Sequence, residues 1–232
     1  MKVSRRPIAL AILVVVLTLA GCGASKPSSR VDPDGKEMKT LQARAAYERG
    51  LAHMGEAQHG LALGALQEAL QLDPGVALYA NTLGVLLLHL QQLEGALAWL
   101  RRALELDPAY GDAQLNYASA LAEARRWDEA VDGYRRALRM PTLTTPHVAH
   151  HNLGVALYNL KRYNQAEESL RFALSLEPQM SGAYFNLGLV LVAENRPAEA
   201  RAAFRKAREL APDGPFGKAA AERLKVLGGE GG

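Results

Sequence analysis

Residues 84–108 read GVLLLHLQQLEGALAWLRRALELDP, and this stretch decides the fold. A glycine, Gly84, stands 24 residues before Pro108, and alanines stand 12 and 5 residues before it, at Ala96 and Ala103. The proline cannot continue a helix, because it lacks an N–H and its ring clashes with the preceding turn. The glycine and the alanines allow two helix backbones to approach closely. The stretch therefore predicts a pair of packed helices that ends at Pro108.

The same pattern recurs along the chain. Pro74 and Pro108 are 34 residues apart, and so are Pro178 and Pro212. The matching glycines are Gly50, Gly154 and Gly188, and the matching alanines are Ala62, Ala69, Ala166, Ala173, Ala200 and Ala207. Between Pro108 and Pro178 lie two periods plus two residues, which leaves room for one further, slightly longer unit. The predicted units are 43–76, 77–110, 111–146, 147–180 and 181–214.

One such helix pair cannot bury its apolar face alone, so the units must stack into a superhelix. Beyond the fifth unit, Lys218 to Leu227 carries apolar Ala221 and Leu224 beside charged residues, which is typical of a closing helix with a polar outer side. The sequence predicts an all-α solenoid over residues 41–227, with about five helix-turn-helix repeats and a C-terminal capping helix. Residues 228–232, rich in glycine, are expected to be a disordered tail.

These repeated positions resemble the tetratricopeptide-repeat (TPR) family, and the resemblance covers about residues 43 to 227. It implies a TPR superhelical solenoid that binds another protein. It says little about which partner is bound, because function depends on the site rather than on the fold.

The N-terminus resembles a bacterial lipoprotein signal. Lys2, Arg5 and Arg6 precede an apolar run from residue 8 to 20, and Leu-Ala-Gly-Cys follows at 19–22. A basic start, an apolar core and a small-residue cleavage site predict a secretory signal over residues 1–21. The resemblance to a lipobox implies that Cys22 is acylated, for example with palmitate, and anchors the chain. The alternative is an ordinary signal peptide with a chance cysteine. The polar residues 22–40 are predicted to be a flexible tether.

Charge and motif content argue against several functions. The chain has 27 basic and 24 acidic residues, and the three basic residues of the predicted leader account for the excess. The mature part is then formally neutral, which removes the main argument for a nucleic-acid partner. The familiar nucleophile, phosphate-binding and zinc motifs are missing from the sequence. We therefore expect no catalysis, no small-molecule substrate, no metal, and no cofactor apart from the covalent lipid on Cys22.

Two groups of residues have alternative interpretations. His147, His150 and His151 cluster at the start of the fourth unit, but a metal site there lacks nearby Cys or acidic residues at suitable spacing. We favour helix-entry and groove roles for them. Trp99 and Trp127 are compatible with ligand stacking, although packing between helices is the favoured interpretation.

The TPR resemblance also implies where a partner binds. In the family an inner groove is lined by first helices, at the second, fifth, ninth, twelfth and thirteenth places of each unit. An asparagine also recurs at the sixth place, where it braces the groove or contacts a bound chain. The groove candidates are Asn81, Val85, Leu88, His89, Leu115, Asn116, Ser119, Glu123, His151, Asn152, Val155, Tyr158, Asn159, Phe185, Asn186, Leu189 and Val192. Such an apolar groove suits a peptide with hydrophobic anchors; the alternative for each residue is packing between units.

A narrower resemblance concerns the segment 139–154. It reads RMPTLTTP and then, from residue 148, VAHHNLG, and it is similar to the pilotin lipoproteins of type IV pili, a group that includes PilF, PilW and Tgl. That resemblance implies a periplasm-facing lipoprotein of the outer membrane. It also implies a secretin subunit as partner, which the pilotin helps to reach the membrane and to assemble. The alternative is a general periplasmic TPR adaptor for cell-wall enzymes or outer-membrane protein assembly.

Overall fold

The structure is a computed structural model that describes residues 35–228. The chain divides after Gly35, and the unit that begins at Lys36 is described here by itself. All regular secondary structure between residues 35 and 228 is α-helical. The helices there are α1 Lys36–Gly55, α2 His59–Leu72, α3 Ala77–His89, α4 Leu93–Leu106, α5 Gly111–Glu123, α6 Trp127–Ala137, α7 Pro146–Asn159, α8 Tyr163–Leu176, α9 Ser181–Ala193, α10 Pro197–Leu210 and α11 Pro215–Val226.

The helices form five antiparallel pairs, and each pair packs against the next. The last helix, α11, contacts both α9 and α10 and closes the stack. The predicted solenoid of five repeats with a C-terminal capping helix is confirmed, although α11 begins at Pro215 rather than at Lys218. None of the helices in this part of the chain has the length and apolar character that a membrane span requires.

The predicted start of the solenoid was wrong by five residues. The sequence predicts residues 36–40 to be part of the tether, whereas α1 begins at Lys36. Glu37 lies in the first turn, where a negative charge interacts favourably with the positive end of the helix dipole. Met38 and Leu41 are exposed, so the start of α1 buries no large apolar side chain against the rest of the solenoid. The predicted signal peptide, Cys22, the rest of the tether and residues 229–232 of the tail lie outside the described residues.

The two helices of a pair meet where a glycine on the first helix faces a large side chain on the second. A Cβ atom placed on Gly84 would lie 2.6 Å from Cγ of Leu100, well inside van der Waals contact. Gly50, Gly154 and Gly188 face Leu66, Leu170 and Phe204 in the same way. Leu100 and its counterparts are completely buried. The glycine is therefore what allows the large residue to fill the centre of each pair.

The turn inside each pair depends on one residue with a left-handed backbone. These residues are Ala57, Gln91, Arg125, Lys161 and Asn195, with φ between 56° and 59°. After Gln91, the N–H of Gln92 reaches back to the carbonyl of Leu87 at 2.9 Å, which satisfies a carbonyl that the helix leaves free. Glycine is common at such a position. This chain uses other residues, so the turns carry no glycine signal in the sequence.

The turns between pairs use the acidic residue that precedes the proline. Asp107 accepts a hydrogen bond from the backbone N–H of Ala109 at 3.0 Å, and Asp73 accepts one from Gly75 at 3.3 Å. A carboxylate that binds the backbone two residues ahead stabilises a tight turn. These bonds explain why the repeated Asp-Pro pairs mark the ends of α2 and α4.

The third unit ends in a longer loop, which folds back over the start of α5. The Thr142 hydroxyl accepts the N–H of Gly111 at 2.9 Å and donates to the carbonyl of Ala109. Thr144 donates both its N–H and its hydroxyl to the carboxylate of Asp112, at 2.9 and 3.0 Å. The two inserted residues are thereby held in place by side chains of their own unit.

The glycine contact predicts opposite effects of the same substitution at two positions. Gly84→Ala introduces a Cβ into the Leu100 side chain, so we expect it to lower the free energy of unfolding by about 1–3 kcal/mol. Gly64 lies on the exposed side of α2 and has open space around it. Gly64→Ala should raise the free energy of unfolding by about 0.5–1 kcal/mol, because alanine is the better helix former. Urea unfolding followed by circular dichroism measures both changes. Equal effects of the two substitutions would contradict this account of the packing.

Candidate partner-binding groove

The first helices of the pairs form one side of the stack. α3 contacts α5, α5 contacts α7, α7 contacts α9, and α9 contacts α11, in addition to the contacts within each pair. Helices that touch across successive units lie on the inner side of a curved stack. All the predicted groove residues lie on α3, α5, α7 and α9. The structure therefore brings the predicted set together on one surface, which we call the groove.

The groove residues differ in how much surface they offer. His89, Asn159 and Val192 are exposed, and Glu123 is exposed at the end of α5. The half-buried residues are Val85, Leu88, Asn116, Ser119, His151, Asn152, Val155, Tyr158, Phe185, Asn186 and Leu189. Asn81 and Leu115 retain only 7% and 5% of their surface, so they pack between units and offer little to a partner.

Phe185 belongs to the closure of the stack. Its ring centre lies 5.6 Å from that of Phe204 on α10 and 5.8 Å from that of Phe216 on α11. Phe216 also fills the space beside Gly182, where a Cβ atom would approach the ring to 2.9 Å. These contacts favour a packing role for Phe185 over contact with a partner.

The recurring asparagines connect each first helix to the one before it. Asn116 on α5 donates its amide to the side-chain oxygen of Asn81 on α3 at 3.0 Å. Asn186 on α9 lies 2.9 Å from the ring nitrogen Nε2 of His151 on α7. Asn152 reaches the hydroxyl of Ser119 on α5 at 3.5 Å. The asparagines thus brace the groove, which is one of the two roles that their recurrence at the sixth place indicates.

His151 sits in the middle of this set of bonds. Its Nδ1 lies 3.0 Å from the side-chain oxygen of the adjacent Asn152, and its Nε2 faces the Asn186 amide. Burial lowers the pKa of His151, and hydrogen bonds to Asn152 and to the backbone of Gly182 oppose that shift in part. A neutral ring with hydrogen on Nδ1 satisfies both neighbours, because Nε2 then accepts from Asn186.

The other two histidines of the cluster, His147 and His150, lie in different surroundings. The ring of His150 packs against that of Phe172 on α8, with 4.3 Å between centres. His147 lies at the start of α7 and is half-buried. Among residues 35–228, no group of three or more His, Cys, Asp or Glu side chains is arranged to hold a metal ion. Trp99 and Trp127 are half-buried and pack against the core, and Trp127 also lines a cavity.

Sequence reasoning missed the contribution of the first unit. The Tyr47 hydroxyl on α1 lies 3.2 Å from that of Thr82 on α3, and its ring stacks on Tyr79 with 4.7 Å between centres. Leu51 on the same helix is 42% exposed. Tyr47 and Leu51 occupy the fifth and ninth places of their unit, so the same position rule, applied to residues 43–76, predicts them.

From the second unit onwards, charge is distributed unequally between the first and the second helices, whereas α1 in the first unit carries several Lys, Arg and Glu residues. α3, α7 and α9 contain no Asp, Glu, Lys or Arg, and α5 contains only Asp112 and Glu123. The second helices instead carry ion pairs, such as Arg171 with Glu167 at 2.7 Å on α8. The interior of a protein interface is depleted in charged residues in the same manner. The groove therefore has the composition of a surface that another protein covers.

Comparison with known proteins identifies the class. The tetratricopeptide-repeat pattern matches residues 47–111, 100–142 and 151–215, which together span more than half of the chain. The chain belongs to the tetratricopeptide-repeat family.

Within that family the chain resembles factors of type IV pilus biogenesis. PilF, a type IV pilus assembly protein of Pseudomonas aeruginosa, is 34% identical over 130 residues, which are 55% of this chain and 51% of PilF. The crystal structure of PilW, a type IV pilus biogenesis factor, matches with a TM-score of 0.68 at 19% identity, and the match covers 82% of this chain and 94% of PilW. At that identity the likeness to PilW establishes the shared fold.

The repeats also occur in proteins of other kinds. The O-mannosyl-transferase TMTC3 of Homo sapiens is 28% identical over 155 residues, which are 61% of this chain but 17% of TMTC3. The chain thus spans about half the length of PilF and a small part of TMTC3. A TPR domain mediates protein–protein interaction. Because TPR repeats also occur in a transferase, the fold alone does not decide whether a chain is catalytic, and the residues of the site have to be considered.

The asparagine bonds predict a difference between two otherwise similar substitutions. Asn116→Ala leaves the oxygen of buried Asn81 without its donor, so we expect a loss of about 1–2 kcal/mol in the free energy of unfolding. Asn159 is exposed and bonds only to the carbonyl of Val155 one turn earlier. Asn159→Ala should change stability by no more than about 0.5 kcal/mol. Urea unfolding of both variants checks this, and a harmless Asn116→Ala would show that the bond does not brace the helices.

Proposed function

We propose that the chain is a lipid-anchored pilotin, whose groove binds a secretin subunit and assists its localisation and assembly at the outer membrane. The observation that carries the proposal is the apolar, nearly uncharged surface formed by α3, α5, α7 and α9. The resemblance to PilF supports the link to pilus assembly, because PilF is described as a pilus assembly protein.

The groove suits a chain with apolar anchors. Leu88, Val155 and Leu189 are half-buried in the second, fourth and fifth units, and Val192 is 43% exposed. Tyr158 lies beside Tyr163 with 5.8 Å between ring centres, and its hydroxyl supplies a polar group at the edge. Aromatic and aliphatic side chains presented in this way act as the anchoring contacts of many interfaces.

Lipid anchoring supplies the second part of the mechanism. An acylated Cys22 would confine the groove to a thin layer beside the membrane. Confinement raises the effective concentration of any partner in that layer, so a groove of modest affinity suffices. Each buried methylene of an acyl chain contributes about 0.8 kcal/mol to membrane binding, and several chains together hold firmly.

Capture from the native cell envelope tests the role of the groove. We expect the lipoprotein to bring down the secretin subunit, and the double variant Tyr158→Ala, Val192→Ala to lose at least about 10-fold of it, since interface anchors typically contribute more than 1 kcal/mol each. The matched control is Phe172→Ala, Leu176→Ala on α8, where the side chains are 50% and 45% exposed. This pair also removes one aromatic and one aliphatic side chain, but from a second helix.

The captured protein decides between the alternatives. Loss of the secretin from the groove variant and not from the control supports the proposal. Equal loss from both variants, or a groove variant that binds like the wild type, places the contact elsewhere. Capture of cell-wall enzymes or outer-membrane assembly subunits in place of the secretin would favour the general periplasmic adaptor.

Substitution of the predicted acylation site tests the anchor. We expect Cys22→Ser to abolish labelling by radioactive palmitate and to move the protein from the membrane to the soluble fraction. Ser25→Ala, three residues along the tether, is the matched control and should leave both properties unchanged. Continued labelling of Cys22→Ser would show that the lipid is attached elsewhere, and a wild type that takes up no label would show that the chain is not a lipoprotein.

A further inference from the structure

A cavity opens in the groove between the third and fourth units. Its volume is about 180 Å³, and it is lined by Ser119, Ala122, Glu123, Trp127, Tyr134, Asn152, Val155 and Ala156. Pockets for small-molecule ligands usually measure about 300–1,000 Å³. A cavity of this size fits a single side chain of a bound protein better than a separate ligand.

The cavity exists because the third unit carries small residues at two groove places. Its ninth place is Ser119, where neighbouring units have Val85 and Val155. Its twelfth place is Ala122, where those units have Leu88 and Tyr158. The missing side-chain volume leaves Trp127, at the start of α6, as one wall.

The floor of the cavity is polar, and its hydroxyl hydrogens are already engaged. Tyr134 donates to the Ser119 hydroxyl at 3.3 Å, and Ser119 donates to the carbonyl of Leu115 at 3.1 Å. Burial raises the pKa of Tyr134 to about 12, so the phenol stays protonated. The Ser119 oxygen also accepts from the Asn152 amide at 3.5 Å, so the floor offers the Tyr134 oxygen as an acceptor and no free hydroxyl hydrogen.

Glu123 gives the cavity its charge. Among the helices α3, α5, α7 and α9, only Asp112 and Glu123 are charged at neutral pH, and Asp112 is held by Thr144. No Lys or Arg of residues 35–228 lies within 4.0 Å of the Glu123 carboxylate. The nearby Arg126 is engaged by Glu129, through two bonds of 2.7 and 2.6 Å. Glu123 lines the cavity together with Tyr134, and its negative charge adds to the rise that burial causes in the pKa of Tyr134.

We propose that this cavity binds an arginine or lysine side chain of the partner segment that occupies the groove. The aliphatic stem lies against Ala122 and Val155, the cationic end pairs with the Glu123 carboxylate, and the indole of Trp127 contributes a cation–π contact. Arginine fits the features best, because its planar guanidinium stacks on aromatic rings and pairs with carboxylates through two hydrogen bonds. This inference rests on the proposed function of the groove and adds the chemistry that selects the partner.

Binding of the purified secretin subunit to the mature lipoprotein tests the inference. Glu123→Gln should weaken binding roughly 5-fold, and Glu123→Lys at least about 10-fold, because reversal adds repulsion to the lost attraction. Glu56→Gln, in the turn after α1, removes another exposed carboxylate, one outside α3, α5, α7 and α9, and should leave affinity unchanged. Circular dichroism confirms that each variant is folded.

A charge exchange then identifies the partner residue. Overlapping synthetic peptides of the secretin subunit, bound to the lipoprotein, give the segment that occupies the groove. In that segment we expect one arginine or lysine whose change to norleucine weakens binding to the wild type but not to Glu123→Gln. Its change to glutamate should restore binding to Glu123→Lys.

The outcomes separate the two proposals. If Tyr158→Ala, Val192→Ala abolishes secretin binding while every Glu123 variant binds like the wild type, the basic-side-chain inference is overturned and the proposed function stands. Weaker binding of the Glu123 variants without any basic residue that depends on Glu123 also overturns it. If the wild type binds no secretin, the proposed function fails and the inference fails with it.

Discussion

The structure depends on the contact between a glycine of each first helix and a large side chain of the second. At Gly84 the backbone of α3 approaches so closely that a Cβ atom would lie 2.6 Å from Leu100. The spacing of the two helices is therefore set by the absence of one methyl group. Because the same contact recurs at Gly50, Gly154 and Gly188, successive pairs have similar geometry and stack regularly. The regular stack in turn aligns the first helices on one side, and the groove is the result of that alignment.

The third unit departs from this rule, and the consequences are concentrated there. Ala118 stands where the other units have glycine, and Gly133 on α6 makes the close approach instead, where a Cβ atom would lie 2.8 Å from that of Ala118. Tyr134 fills the centre of the pair and extends its hydroxyl to Ser119 at the groove. The longer loop that ends this unit is held by Thr142 and Thr144. A repeat that packs differently is thus also the repeat with a polar cavity.

The sequence predicted those features whose signals are local or periodic. Prolines, glycines and alanines at fixed spacing were sufficient for the five helix pairs and for the helices that carry the groove. Three features were missed for identifiable reasons. The left-handed turn residues, such as Gln91, are not glycines, and the first turn of α1 is exposed and has no apolar stripe. Burial of Asn81 and packing of Phe185 depend on Tyr110, Asn116 and Phe216, which lie about 30 residues further along the chain.

Neutral polar groups and the exclusion of charge together determine what the groove can recognise. An unpaired charge covered by an apolar partner is costly, whereas an asparagine that is already bonded to its neighbour can be covered at little cost. The bonds of Asn116 and Asn186 therefore hold the first helices in register without repelling an apolar segment. Against such a surface, a single carboxylate contributes more to the choice of partner than to the strength of binding. That division of roles suits the proposed lipid anchor, because a membrane that concentrated the partner would leave the groove only to select it.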